Sequence, residues 1–145
     1  MLTLDQDSYD LLVAHARREY PNEACALLAG RGSSLDAITV EKVYPLPNAE
    51  ASPTFYVVEP RAQLHAMREI EDDDRELVGV FHSHTFTEAY PSRTDVELAF
   101  YPEAAYLILS LADPGAPALR AFRIRDGDVA ELRLTVGPEP EASHR

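Results

Sequence analysis

Apolar positions along this chain follow two rhythms. Between Asp5 and Tyr20 the residues Leu11, Leu12, His15 and Ala16 recur three to four apart, the spacing of one helix face. Asp5 or Asp7 is placed to cap that helix and Pro21-Asn22 to stop it. Residues 23–29, headed by Glu23, are then apolar almost without a break and read as a buried strand closed by Gly30 and Gly32. A second strand is expected over residues 37–46, ended by Pro45 and Pro47, and a short third over 54–58. Pro60 fits the first position of a helix reaching Asp72, with Leu64, Met67 and Ile70 as its apolar side.

The second half repeats the alternation. Residues 77–81 form a hydrophobic strand that delivers His82 and His84 at its end, and Pro91-Ser92 opens a helix through Phe100. Residues 106–111 are strand-like, and 119–125 and 129–136 flank Asp126-Gly127, a strong hairpin signal. This order predicts an α/β (α+β) domain with a central mixed sheet flanked by helices. It occupies residues 1–136, and residues 137–145 form a flexible tail containing Pro138, Glu139, Pro140 and Glu141.

Composition narrows the function classes. The 145 residues are 46% hydrophobic and 26% charged, as in a soluble globular protein. No run approaches the ~18 apolar residues of a membrane span. The acidic start lacks the basic region of a signal peptide, so a cytoplasmic location is expected. A net charge of -12 argues against nucleic acid and anionic membrane as partners. Cys25 is the single cysteine, which excludes an intramolecular disulfide and a CxxC zinc cluster.

The candidate chemistry lies in HSHTFTEAYPSRTD. His82 and His84, one residue apart on an extended segment, point the same way. After seven intervening residues comes Ser92, and three further on Asp95. Two imidazoles and a carboxylate suit a zinc ion with a fourth position open to water. Ser92-Arg93-Thr94-Asp95 equally fits a helix capping box, so local sequence leaves ligation and capping both open for this pair. A hydrolytic zinc also needs a base for its water, and Glu23, an acid heading an apolar strand, is the candidate. Taken alone, Glu23 also fits an exposed position just after Pro21-Asn22.

Together, Glu23, His82, His84, Ser92 and Asp95 resemble the JAMM motif of the MPN-plus metalloproteases, in residue type and in spacing, over essentially the whole domain. Thr85 departs from the pattern, since many members carry proline there. The resemblance implies a cytidine-deaminase-like sheet flanked by helices, and one Zn2+ per chain held by His82, His84 and Asp95. It also implies Glu23 as the proton carrier, Ser92 as the hydrogen-bond donor to the oxyanion, and an amide or isopeptide bond as the one cut. The phrases AHARREYPNEACALLAG, NAEASPTFY and HSHTFTEAYPSRTDVELA look like the bacterial Mec-type hydrolases of sulfur-carrier cysteine synthesis. That likeness implies a small ubiquitin-like sulfur-carrier protein bearing a C-terminal cysteine adduct as partner.

Residues 52–56 and 85–90 are the expected walls of a groove for the carrier tail, with Thr54, Phe55, Thr85, Tyr90 and Arg93 as substrate contacts. Arg93 fits equally as an exposed first-turn arginine, and one of Phe55 and Tyr56 as core. Cys25, His15, His65 and His144 are read as structural or surface residues. Two rivals stay open: a peptidase trimming or deconjugating another ubiquitin-like protein, and an inactive MPN scaffold. Zinc against iron, and a homodimer against a monomer, also stay open. A nucleobase deaminase is excluded by the missing Pro-Cys-X-X-Cys ligands.

Overall fold

The computed structural model describes residues 1–33 and 36–137; the expected tail and His144 lie outside the described residues, apart from Gly137. Its elements are β1 (Leu2–Leu4), α1 (Gln6–Glu19), β2 (Cys25–Arg31), β3 (Ile38–Leu46), α2 (Pro60–Asp72) and β4 (Glu76–His84), followed by α3 (Arg93–Glu97), β5 (Ala105–Ser110), β6 (Ala118–Arg125), β7 (Asp128–Leu132) and β8 (Leu134–Val136). The eight strands form one mixed sheet in the order β7-β6-β5-β4-β2-β3-β1-β8. It is the α+β architecture expected from the sequence. Among the described residues no helix is long and apolar enough to cross a membrane.

Local chemistry explains the helices. Asp5 caps α1 by accepting the Ser8 N–H at 2.8 Å, and Arg17 and Arg18 stand in its last turn, beside the negative end of the helix dipole. Leu12, His15 and Ala16 are its buried stripe, while Leu11 is exposed. Glu59 caps α2 through the N–H groups of Arg61 and Ala62, with Pro60 following. Its buried face is Ala66 and Ile70, with Met67 packed beside them. Leu64 turns outward, 54% exposed, against the expectation.

Five further expectations are corrected. The strand begins at Cys25 rather than Glu23 and runs through Gly30, where a Cβ would stand 1.8 Å from the Thr39 carbonyl oxygen. Glycine there allows a close backbone approach at a bulge instead of ending the strand. Residues 54–58 form no strand; the segment has a single antiparallel bridge, Asn48 to Val58. The helix expected to Phe100 stops at Glu97, where the Leu98 N–H closes the last turn on the Thr94 carbonyl, and Tyr101, restricted by Pro102, turns its N–H to the Tyr106 hydroxyl at 2.9 Å. The expected strand 129–136 breaks at Arg133: β7 pairs with β6 at one sheet edge and β8 with β1 at the other. One residue joins those edges, so the sheet curls until they meet. β1 itself was too short to show a period.

The Asp126-Gly127 hairpin is as expected, with both residues at positive φ, 51° and 84°. Two apolar layers cover the sheet. Leu2, Leu4, Ala26, Leu28, Phe81 and Leu107 pack with α1 on one face. Leu27, Tyr44, Val80, Ile108 and Phe122 pack with α2 on the other. Each fully buried leucine here contributes on the order of 2 kcal/mol.

This frame brings the candidate residues together. β2 and β4 run antiparallel with Cys25 opposite His82, so continuing the register sets Glu23 opposite His84 on the same sheet face. Ser83 locks the alignment. Its N–H donates to the Ala24 carbonyl at 3.0 Å, and its Oγ accepts the Ala24 N–H at 2.8 Å.

Candidate metal centre and active site

His82 and His84 are both buried at the end of β4, and α3 presents Asp95 to them. Nε2 of His82 lies 3.2 Å from Nε2 of His84; Oδ2 of Asp95 lies 3.1 Å from the first and 3.0 Å from the second. Tetrahedral zinc with bonds of about 2.0–2.1 Å sets its ligand atoms roughly 3.3 Å apart. The triangle therefore has the size a zinc ion requires, and these are the residues that meet as a candidate metal group among those described.

Protonation gives a second test of fit. Nδ1–H of His84 donates to the Glu88 carbonyl at 2.7 Å, which leaves Nε2 of the neutral ring as a lone pair. That lone pair faces a carboxylate oxygen and a second imidazole nitrogen, an arrangement that calls for a cation among the three. Without a metal the cation is a proton. Burial alone would raise the Asp95 pKa, but hydrogen bonds from His82 and His84 outweigh it and hold the carboxyl far below its usual range. Burial lowers the His82 pKa against the pull of Asp95, whereas for His84 Asp95 and the Glu88 carbonyl outweigh burial and raise it. Nδ1 of His82 is buried without a hydrogen-bond partner. The ring is held instead by stacking on Tyr56, centroids 4.5 Å apart and planes within 20°.

Glu23 is only 5% exposed, and its Oε1 has no hydrogen-bond partner. Burial pushes its pKa up to about 8; His84 opposes the rise and Asp95 adds to it. An acid poised near neutrality suits proton transfer. A cleft of about 200 Å³ opens here, lined by Glu23, His84 and Ser92 together with Thr54, Thr85 and Phe86.

The capping box forms, and it leaves the Asp95 carboxylate facing the two histidines. Asp95 Oδ2 accepts the Ser92 N–H at 2.8 Å, and Ser92 Oγ accepts the Asp95 N–H at 3.1 Å. The Ser92 hydroxyl hydrogen stays free to donate into the cleft. Of the expected substrate contacts, Thr54 and Thr85 line the cleft. Phe55 turns its carbonyl to Asn48 and is not among the lining residues. Tyr90 packs edge-on against Phe122 at 5.4 Å, under the Arg120 guanidinium. Arg93 points to solvent beside Glu97, its side chain 93% exposed. Sequence reasoning missed Ser83, whose place between the histidines was its signal. It also missed the Glu88 carbonyl, which no side-chain pattern can reveal.

The family described as prokaryotic homologs of the JAB domain matches residues 5–125. The chain is 48% identical over 137 residues to a CysO-cysteine peptidase of Mycobacterium tuberculosis, covering 94% of this chain and 91% of that one. It is 36% identical over 114 residues to a desampylase of Haloferax volcanii, covering 75% and 80%. A solution structure of a Desulfitobacterium hafniense protein superposes with a TM-score of 0.86 at 41% identity, covering 100% and 99%. With Glu23, His84 and Ser92 lining one cleft, His82 and Asp95 beside His84, and the family match running from the cap of α1 to the end of β6, this chain belongs to the prokaryotic JAB-domain family.

Proposed function

We propose that this peptidase hydrolyses the amide bond after the C-terminal glycine of a small ubiquitin-like sulfur-carrier protein, releasing cysteine. His82, His84 and Asp95 would hold the metal. Bound there, zinc would supply Lewis-acid polarisation of a water and of the scissile carbonyl. Glu23 takes the proton that water loses as its oxygen attacks the carbonyl carbon, then gives it to the cysteine nitrogen as the C–N bond breaks. Ser92 donates its hydroxyl hydrogen to the carbonyl oxygen as that atom gains charge. Thr54 and Thr85 flank the extended tail in the cleft.

The observation that carries the chemistry is the buried, unpartnered Glu23 carboxyl beside a triad of zinc-sized spacing. The choice of substrate is supported by the similarity to the mycobacterial CysO-cysteine peptidase. Similarity to a desampylase supports a second reading, trimming or deconjugation of another ubiquitin-like protein, with the same five residues. Intact-mass spectrometry of a carrier ending in Gly-Gly-Cys tests cysteine release, and a panel of carriers with other C-terminal extensions separates it from trimming. Loss of one cysteine mass, blocked by chelator, is expected. An unchanged mass with metal-loaded protein would reject cysteine release and favour the second reading.

A further inference from the structure

We propose that Asn48 is a positioning residue whose side-chain amide holds Glu23 and the loop of residues 52–58, whose Pro53 and Thr54 line the cleft, as one unit. The inference rests on the reading of Glu23 as the base. Asn48 bears no reactive group, yet its amide is fully used. Nδ2 donates to the carbonyls of Glu23 and Phe55, each at 3.0 Å. Oδ1 accepts the N–H groups of Glu50 and Val57, each at 3.0 Å. Both nitrogen contacts are acceptors and both oxygen contacts are donors, so the amide orientation is consistent at all four positions.

Independent contacts tie the same parts together. The Glu23 N–H donates to the Ser52 carbonyl at 2.8 Å, so the loop holds Glu23 through both of its backbone polar groups. Thr85, buried after His84, donates its hydroxyl to the Pro53 carbonyl at 2.9 Å, a bond proline in that place could not make. Within the loop Ala51 lies at φ 46°, a left-handed conformation costly for a residue with a Cβ. Its N–H returns to the Asn48 carbonyl at 3.2 Å. Such strain persists where surrounding bonds over-determine the backbone. Two backbone bonds, from the Ala49 N–H to the Val57 carbonyl at 2.7 Å and from the Glu59 N–H to the Pro47 carbonyl at 3.2 Å, flank the Asn48–Val58 bridge, and the Asn48 amide adds the ties that reach Glu23 and Phe55. Glu23 likewise precedes the first residue of β2. A displacement of about 1 Å at a reacting group is enough to lower a rate roughly 100-fold.

The decisive variant is Asn48→Asp, which keeps the shape but turns a carboxylate oxygen toward the Glu23 and Phe55 carbonyls, and their repulsion displaces the side chain from all four of its partners. Amide hydrogen exchange of the full chain, with chelator present, reads the loop independently of activity. Exchange at Glu23 and Val57 is expected to quicken at least ~10-fold while β4 amides stay protected. On the carrier–cysteine adduct, kcat per folded, metal-loaded chain is expected to fall roughly 100-fold. Thr85→Val, which frees the wall but leaves the Glu23 carbonyl paired, is expected to change mainly KM. In a Glu23→Gln background, Asn48→Asp is expected to lower kcat no further. Unchanged exchange at Glu23 and Val57, or a full additional loss in the Glu23→Gln background, would overturn the proposal. Asn48→Ser gives the same comparison if the aspartate variant does not fold. An adduct left intact by the wild-type chain would reject the substrate reading alone, and the exchange result would still decide the role of Asn48.

Discussion

Oδ2 of Asp95 accepts the Ser92 N–H at 2.8 Å and with the same atom faces Nε2 of His84 at 3.0 Å. The capping box of a five-residue helix thus aims the Asp95 carboxylate at the two histidines on β4. A helix this short has little stability of its own, so its start is set by the cap. The cap hydroxyl, fixed as acceptor of the Asp95 N–H, keeps its hydrogen for the cleft.

Separating the two roles is straightforward. Ser92→Ala removes the cap oxygen and the free donor, and is expected to cost about 1 kcal/mol of stability and 100- to 1000-fold in kcat with full metal content. Asp95→Asn keeps an oxygen able to accept the Ser92 N–H but loses the charge. It is expected to hold the fold and lose the metal. Elemental analysis beside thermal melts checks both, and metal retained by Asp95→Asn would remove Asp95 from the ligand set.

Glu23→Gln is nearly isosteric and lies outside the triad. It is expected to retain metal while kcat falls by roughly 100- to 10,000-fold, the usual range for a general acid–base group. His82→Ala is expected to lose metal and activity together. Metal analysis with single-turnover hydrolysis tests the pair, and full activity in Glu23→Gln would end its assignment as base.

The same carboxyl makes stability depend on pH. Its pKa is about 8 in the folded chain, above the ordinary 4.5, because burial disfavours the charge. The folded state therefore binds this proton more tightly than the unfolded one. The contribution is fully present below about pH 4.5, falls as pH rises, and is gone above about pH 8. With chelator present, wild-type stability is expected to drop on the order of a few kcal/mol more than that of Glu23→Gln across this window. Parallel denaturation profiles for the two chains would show that Glu23 is charged in the folded state throughout.

Much of this site was legible in the sequence because its residues follow local rules. His82 and His84 sit on a strand with period two, and Ser92 and Asp95 on a cap with spacing three. The register that sets Glu23 against His84 was not legible, since it depends on Ser83 pairing with a backbone 59 residues away. Nor was the division of residues 129–136 between two sheet edges, which sheet curvature decides. Residues 54–58 looked like a strand because Phe55, Tyr56, Val57 and Val58 are β-formers, yet the segment is a loop to which the Asn48 side chain bonds at Phe55 and Val57. Arg93 and Tyr90 lie near the motif in sequence, but a helix N-terminus turns one to solvent and Phe122 takes the other.

Cys25 provides a separate test of which nucleophile operates. It lies two residues from Glu23 and opposite His82, close enough in sequence and register to invite a thiol mechanism. Burial pushes its thiol up to about 12, with Glu19 and Glu23 adding to the rise, and Sγ contacts the Leu46 and Pro47 carbonyls at 3.6 and 3.5 Å. Acidic neighbours and acceptors on sulfur both disfavour a thiolate. Iodoacetamide at neutral pH is therefore expected to leave the native chain unmodified and active, while a chelator abolishes hydrolysis. Cys25→Ala is expected to cost on the order of 1 kcal/mol of stability and to leave kcat within about two-fold, as a small buried apolar side chain would. Loss of activity on alkylation of the folded chain, tracked by mass at Cys25, would put the thiol back into the chemistry and displace the metal-based reading.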